Sequence, residues 1–401
     1  MSLIVIELFG IVIALLLCVF VSAAWYLHQQ HQKYDHLPGP PRDRFLGYGL
    51  EAQTDSKHWI LQRMHLEQWF KPHFIRQFAS EFNEFADQFI EQLEARADGM
   101  TEIHTLSLFN KMTMHLLNKV AFNVDLGPLS GESHPFTMNM KTALKGFEAM
   151  TSNPLIAINP FKWRYRQEVR DALNFVRQGA KQQILDRKLA KSKGDYIPHD
   201  LLEYIMELKG QETSANTLSF MIYLLGQNPE CYKKLQREVD ENVGAVSVIT
   251  LNEVEKLTYL DMVLKETLRL YPVGKLTARE TSKEYCLGGY QLPPGTDMIV
   301  SFYATSRIEQ NIRKATEFLP ERYDVGNSEK FSKYAATPFS AGPHTCIGRK
   351  FAEIEIKVMI AKIMQIFDFE LVPGQSSELE GSSTLQMKSG VKCFFRQRKM
   401  E

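Results

Sequence analysis

The string Phe339-Ser340-Ala341-Gly342-Pro343-His344-Thr345-Cys346-Ile347-Gly348 leads one cysteine, through a loop containing glycine and proline, to the start of a long apolar run. The spacing predicts a buried helix over residues 347–369, with Phe351, Ile354, Val358, Ala361 and Ile366 on one stripe. The start of such a helix offers free N–H groups and a partial positive charge, which lower a thiol's pKa and stabilise the thiolate. Thiolate is the form that binds a metal. Glycines at 342 and 348 let backbone approach a flat ligand more closely than a bulkier residue would. Taken alone, a single cysteine before a helix is more often a small buried hydrophobe.

Other strings fall into order around it. Glu266-Thr267-Leu268-Arg269 sets an ion pair at i, i+3 on one helical face, in isolation an ordinary surface salt bridge of about 0.5 kcal/mol or less. It lies upstream of Phe318-Leu319-Pro320-Glu321-Arg322-Tyr323. Trp59 and Arg63 stand four apart, a spacing that by itself is often surface packing on a helix. Gly210-Gln211-Glu212-Thr213 reads in isolation as a helix start with a polar cap.

Together these strings resemble the cytochrome P-450 family, whose haem-binding loop has the pattern FxxGxxxCxG and whose ExxR and PERF-type motifs occur in this order. The resemblance implies a mainly α fold with small β-sheets and a haem b whose iron is ligated by Cys346. It implies that Phe339 packs beside the sulfur, with Gly342 and Gly348 in the same loop, and that His344 stands where the family more often has an arginine meeting a haem propionate. Arg279, Trp59 and Arg63 match positions that contact propionates, and Glu266, Arg269 and Arg322 match a buried structural network that holds the loop presenting Cys346. Glu212 and Thr213 match the acid-alcohol pair that passes protons to bound dioxygen, and Ser214-Ala215-Asn216 continues that pattern. Lys209 departs from it, since the family has Ala or Gly there.

The elements that must position these residues are predominantly helical between residues 59 and 270, about ten helices by apolar spacing. One spans 81–97 with Phe82, Phe85, Phe89 and Leu93 inward; another spans 164–190 with a charged, solvated outer face and ends in the basic run 188–194. From Gly274 to Phe302 the pattern becomes short β-like runs, with turns at Gly288-Gly289 and Pro293-Pro294-Gly295. The sequence shows no internal repeat.

At the N-terminus, residues 8–27 carry twenty positions without a charge, long enough to span a bilayer as a helix and ending in Trp25-Tyr26. The n-region lacks Lys and Arg, which favours a retained anchor over a cleaved signal peptide. Basic residues flank only the C-terminal side, which places the body in the cytosol; the resemblance implies the endoplasmic reticulum membrane, with residues 1–7 in its lumen. Residues 28–44 form a polar linker with the stiff Leu37-Pro38-Gly39-Pro40-Pro41 hinge, and residues 45–401 form the catalytic domain. Lys plus Arg (47) balances Asp plus Glu (47), which gives nucleic acid no polycation to bind. Five dispersed cysteines in no CxxC pair argue against a disulfide scaffold or structural zinc, and for a reducing compartment.

The resemblance also implies what is missing. After Phe45-Leu46-Gly47 the chain passes almost directly to Trp59, where the family has its first sheet, two helices and the roof of the substrate pocket. Before Gly210 the half-helix that leads to the oxygen motif is absent, and residues 201–209 run straight into it. Both junctions keep the flanking motifs in frame, which points to skipped exons or an incomplete gene model. Residues 93–99, 212–216, 264–272 and 371–375 resemble the sterol side-chain hydroxylases within the family. The expected function is therefore monooxygenation of a lipophilic substrate, a sterol, with electrons from an NADPH-dependent reductase. Two alternatives are a truncated, catalytically silent haem-binding or haem-free remnant of the family and a haem-thiolate isomerase that needs no reductase; Glu212 and Thr213 disfavour the latter.

Overall fold

The computed structural model describes residues 59–60, 63–64, 67–68, 70–122, 135–153, 156, 159–193, 210–327, 331–381 and 384–398. The expected membrane anchor, the proline-rich hinge, Lys209 and both junctions except Trp59 and Gly210 lie outside them. The chain divides into two units, Met1–Leu61 and Gln62–Glu401, and the fold of the second is as follows.

A helical layer carries the core. Helix α1 (Ala79–Glu94) turns Phe82, Phe85, Phe89 and Leu93 inward, as their spacing predicts, and Phe89 stacks on Phe109 of α2 (Thr105–Phe122). Helices α3 (Pro135–Ser152) and α4 (Trp163–Lys193) pack against each other. Helix α5 (Gly210–Gln227) runs through the interior: Leu218, Phe220, Met221, Ile222 and Leu225 are all buried, so its apolar residues go round the helix instead of marking one stripe. It packs against α2, α6 (Pro229–Asn242), α8 (Thr258–Leu270) and α10 (Arg349–Ile366). Helix α7 (Leu251–Lys256) opens with a capping box between Thr250 and Glu253. A four-residue α9 (Phe302–Thr305) is capped by Ser301.

The β structure is small. Strands β2 (Leu276–Glu280) and β5 (Asp297–Ser301) pair antiparallel, Ala278 opposite Ile299. Strands β3 (Tyr285–Leu287) and β4 (Tyr290–Leu292) form a two-residue hairpin at Gly288 and Gly289, whose φ values of 59° and 86° are those of a turn that glycine adopts freely. Strand β1 (Ile103–His104) adds to β9 (Lys392–Gln397), which also pairs with β6 (Phe367–Leu371). Strands β7 (Leu379–Glu380) and β8 (Gln386–Met387) form a further short pair.

The bounds of three helices differ from the sequence reading; the one expected over 81–97 is shifted toward the N-terminus as Ala79–Glu94. The last helix begins at Arg349 and ends at Ile366, and Phe367-Asp368-Phe369 belongs to β6 because it pairs with Gln397, Arg396 and Phe395. On that helix Val358 and Ala361 are fully buried, whereas Phe351, Ile354 and Ile366 are half-buried at the core's margin. The predicted helix over 164–190 extends to Trp163–Lys193.

Candidate functional site: a cysteine loop among cations

Cys346 sits two residues before Gly348, the N-cap of α10, in a loop closed on itself. The Cys346 backbone N–H donates to the Phe339 carbonyl at 2.8 Å, and Thr345 returns both its N–H (3.0 Å) and its hydroxyl (2.7 Å) to the Gly342 carbonyl. Gly342 has φ +70° with open space where a Cβ would stand, so the loop's close side stays flat. Ser340 takes φ 63° in the same turn. The Cys346 side chain is exposed and in no disulfide. The Arg349 guanidinium lies 5.3 Å from the centroid of the Phe339 ring, which keeps Phe339 against the loop.

Cationic groups gather on this loop. Arg63 donates Nη1–H to the Thr345 carbonyl at 2.7 Å and Nε–H to Glu67 at 2.7 Å. Arg279, half-buried on β2, is fixed by donating Nη1–H to Thr277 Oγ1 (2.8 Å) and to the Ala278 carbonyl (2.7 Å). Loss of solvent around the ring, and then the charges of Arg279 and Arg63, pull the His344 imidazole below its usual range. Arg63, Arg279 and His344 thus feel one another beside the thiol. Trp59 is buried and belongs to the unit 1–61, whereas every other predicted site residue belongs to 62–401.

Glu266, Arg269 and Arg322 come together out of water. The Arg269 side chain is 0% exposed, and each of its five N–H donors has its own acceptor. Nε and Nη2 grip the two Glu266 oxygens at 2.8 Å each, Nη2 also reaches the Glu317 carbonyl (2.9 Å), and Nη1 reaches those of Ser306 (2.9 Å) and Ala315 (2.6 Å). Glu266 Oε1 accepts further bonds from Arg322 Nε and Leu319 N, both at 2.9 Å. The network therefore ties α8 to the segment 306–322 that runs toward the cysteine loop.

Glu212 and Thr213 occupy the first turn of α5, half-buried. A contact that the sequence reading missed joins this turn to the cysteine's helix: Ser214 Oγ donates to Glu355 Oε2 at 2.8 Å, both residues being buried. Burial pushes the Glu355 carboxyl up to about 8, against a smaller lowering by the Ser214 bond. The available signal was position: Glu355 falls nine residues after Cys346, where α10 becomes buried all round. Among the described residues no group of three or more His, Cys, Asp or Glu side chains could hold a metal ion. An exposed thiol, an open glycine turn and clustered basic side chains suit a flat, anionic, iron-bearing group.

The chain belongs to the cytochrome P450 family, whose model matches residues 26–392. As a member it is a haem-thiolate monooxygenase that binds haem b through a cysteine thiolate. It is 27% identical over 349 residues to cytochrome P450 3A6 of Oryctolagus cuniculus, covering 79% of this chain and 69% of that one. It is 29% identical over 364 residues to probable cytochrome P450 4aa1 of Drosophila melanogaster, covering 83% and 70%. Cytochrome P450 4V2 of Mus musculus is 40% identical over 187 residues, 46% of this chain and 35% of its own length.

Proposed function

We propose that Cys346 is the axial ligand of the haem and that the chain hydroxylates a lipophilic substrate, a sterol, in the manner of cholesterol 24-hydroxylase. Electrons come from an NADPH-dependent reductase, and residues 8–27 anchor the chain in the endoplasmic reticulum membrane with its body in the cytosol. The observation that carries the reading is the exposed Cys346 thiol in a self-closed loop, with Arg63, Arg279 and His344 around it. Haem, when bound, supplies the splitting of dioxygen and the insertion of one oxygen atom into the substrate.

The residues divide the remaining work. Phe339, Gly342 and Gly348 shape the loop, Arg63, Arg279, Trp59 and His344 offer donors to the propionates, and Glu266, Arg269 and Arg322 hold the frame. Glu212 and Thr213 hold and move protons at the head of α5. The sterol rests on the resemblance of residues 93–99, 212–216, 264–272 and 371–375.

The test is the absorbance of the reduced 401-residue chain with carbon monoxide. A thiolate-type Soret band that is lost in Cys346→Ala is the expected result. A band unchanged in that variant, or no band in the parent, sinks the assignment. Product analysis with and without reductase then separates monooxygenation from isomerisation.

A second reading, a catalytically silent remnant, is favoured by one surface. Leu276 (47%), Ile299 (72%) and Val300 (42%) of the β2–β5 pair are exposed, so these apolar strands lack the cover that sheet residues normally find. Haem binding without substrate turnover, over a panel of sterols, is the outcome that supports it.

A further inference from the structure

Strands β2 and β5, continued by β3 and β4, form one two-stranded ribbon, with the Thr281 N–H donating to the Thr296 carbonyl between the two ladders. A ribbon of two strands is marginal on its own and is steadied by a third strand or a packed face. Strand β5 has no third strand beside it among the described residues. Along it Asp297 is exposed, Ile299 is 72% exposed and Val300 42%.

This edge also lacks the usual protection. Proteins blunt a bare edge with lysine, proline, a bulge or a covering loop. Asp297-Met298-Ile299-Val300-Ser301 contains no lysine or proline and keeps one unbroken register with β2. Because the Thr296 carbonyl faces Thr281, alternation turns the N–H and C=O of Met298 and Val300 toward β2 and those of Asp297 and Ile299 outward. Outward backbone groups beside an exposed isoleucine are a template for another strand.

The strand that fits is the same strand of a second copy. About a two-fold axis through Ile299, antiparallel pairing sets Ile299 against Ile299, Met298 against Val300 and Asp297 against Ser301. Apolar meets apolar, the acid meets a hydroxyl that can donate to it, and no like charges face each other. The other edge of the ribbon offers no such match. The same operation on β2, about Ala278, sets Leu276 against Glu280. The start of that edge is also taken, since Leu385 N–H donates to the Val273 carbonyl and Lys275 Nζ to the Gly381 carbonyl.

We propose that the chain forms a homodimer by antiparallel pairing of β5 with β5 of a second copy about Ile299, which joins two ribbons into one four-stranded sheet. The pairing is isologous, so it closes at two copies. It satisfies the outward backbone groups of Ile299 and takes the Ile299 and Val300 side chains out of water.

The full chain in detergent provides the test. In sedimentation at micromolar concentration the parent is expected to have the mass of two chains. Ile299→Lys sets two ammonium groups opposite each other and raises the dissociation constant about tenfold or more, with the parent's circular dichroism unchanged. Val325→Lys, at an 89% exposed position outside the ribbon, keeps the parent's mass. Cys286 is exposed on β3, so crosslinking uses a Cys286→Ser background. There Ile299→Cys is joined to a second chain by a short bis-maleimide, because paired Cα atoms at such a position lie about 5.5 Å apart. The background without Ile299→Cys gives no such adduct. A parent of single-chain mass, a dimer that Ile299→Lys leaves intact, or no adduct in Ile299→Cys overturns the proposal. A single-chain parent whose binding to lipid vesicles weakens in Ile299→Lys also overturns it and assigns the strand to the membrane. None of these measurements needs haem, so the dimer stands or falls separately from the reading of the cysteine site.

Discussion

At the scale of single residues, Glu355 is a carboxyl whose chemistry departs far from its solution behaviour. It lies in α10, bonded to Ser214 and to no cation, and its carboxyl titrates at about 8 against an ordinary value of 4.5. Desolvation is the main cause. The folded chain therefore keeps a proton that the unfolded chain gives up from pH 4.5 upward. Its contribution to stability is whole below 4.5 and declines as pH rises toward about 8, by ~1.4 kcal/mol per pH unit. Glu355→Gln has the same shape, still accepts from Ser214 and has no proton to lose. Denaturant unfolding at several pH values should show a shallower loss of stability with rising pH in this variant than in the parent. Equal slopes would mean that the carboxyl is ionised throughout. Glu355→Ala, by contrast, leaves the Ser214 hydroxyl buried without its acceptor, at a cost of ~1–3 kcal/mol at every pH.

At the scale of elements, the Glu266–Arg269–Arg322 network shows how much of the design was legible. The motifs place an acid and two arginines in the right order, and the spacing puts Glu266 and Arg269 on one face of α8. What no local pattern reveals is that three carbonyls, of Ser306, Ala315 and Glu317, complete the guanidinium's shell from a non-helical segment far along the chain. The same limit explains the end of α10. Apolar spacing carries on through Phe369, but Phe367 and Phe369 are drawn into β6 by pairing with β9, whose residues lie some distance further along the sequence. The Ser214–Glu355 bond escaped for the same reason: it joins two helices that only the fold brings together. By contrast, the Phe82-Phe85-Phe89-Leu93 face and the Gly288-Gly289 turn rest on local periodicity and backbone freedom, and both were readable. The completeness of the Arg269 shell makes a sharp prediction. Lysine has three donors and no planar fork, so Arg269→Lys keeps the charge yet leaves at least two of five acceptors unmet. It should destabilise the chain by about 3 kcal/mol or more and weaken haem retention, read as denaturation midpoint and carbon monoxide band. A midpoint equal to the parent's would show that charge alone, and not the fork, holds α8 to the segment 306–322.

At the scale of the whole molecule, the proposed membrane attachment divides into a part that would span and a part that would lie on the surface. Among the described residues no helix is long and apolar enough to cross a bilayer, and residues 8–27 are the apolar stretch of sufficient length in the sequence. A second, weaker hold is expected at the start of α4, where Phe161 is 92% exposed and Trp163 56%, and the basic Lys162 and Arg164 alternate with them. Aromatic rings between cations suit the headgroup region, and each cation near an anionic surface contributes about 1 kcal/mol. These two holds respond to different treatments. The full chain should stay in the membrane fraction through an alkaline carbonate wash, because a spanning helix does not leave with peripheral contacts. A chain lacking residues 1–27 should be released by that wash, bind anionic vesicles at low salt, leave them at high salt, and keep the carbon monoxide band. Phe161→Ser with Trp163→Ser should abolish the salt-sensitive binding in the shortened chain and leave the full chain's attachment untouched. Release of the full chain by carbonate would remove the spanning role from residues 8–27. Persistence of the shortened chain on vesicles at high salt would assign the second hold to burial of the aromatic rings more than to charge.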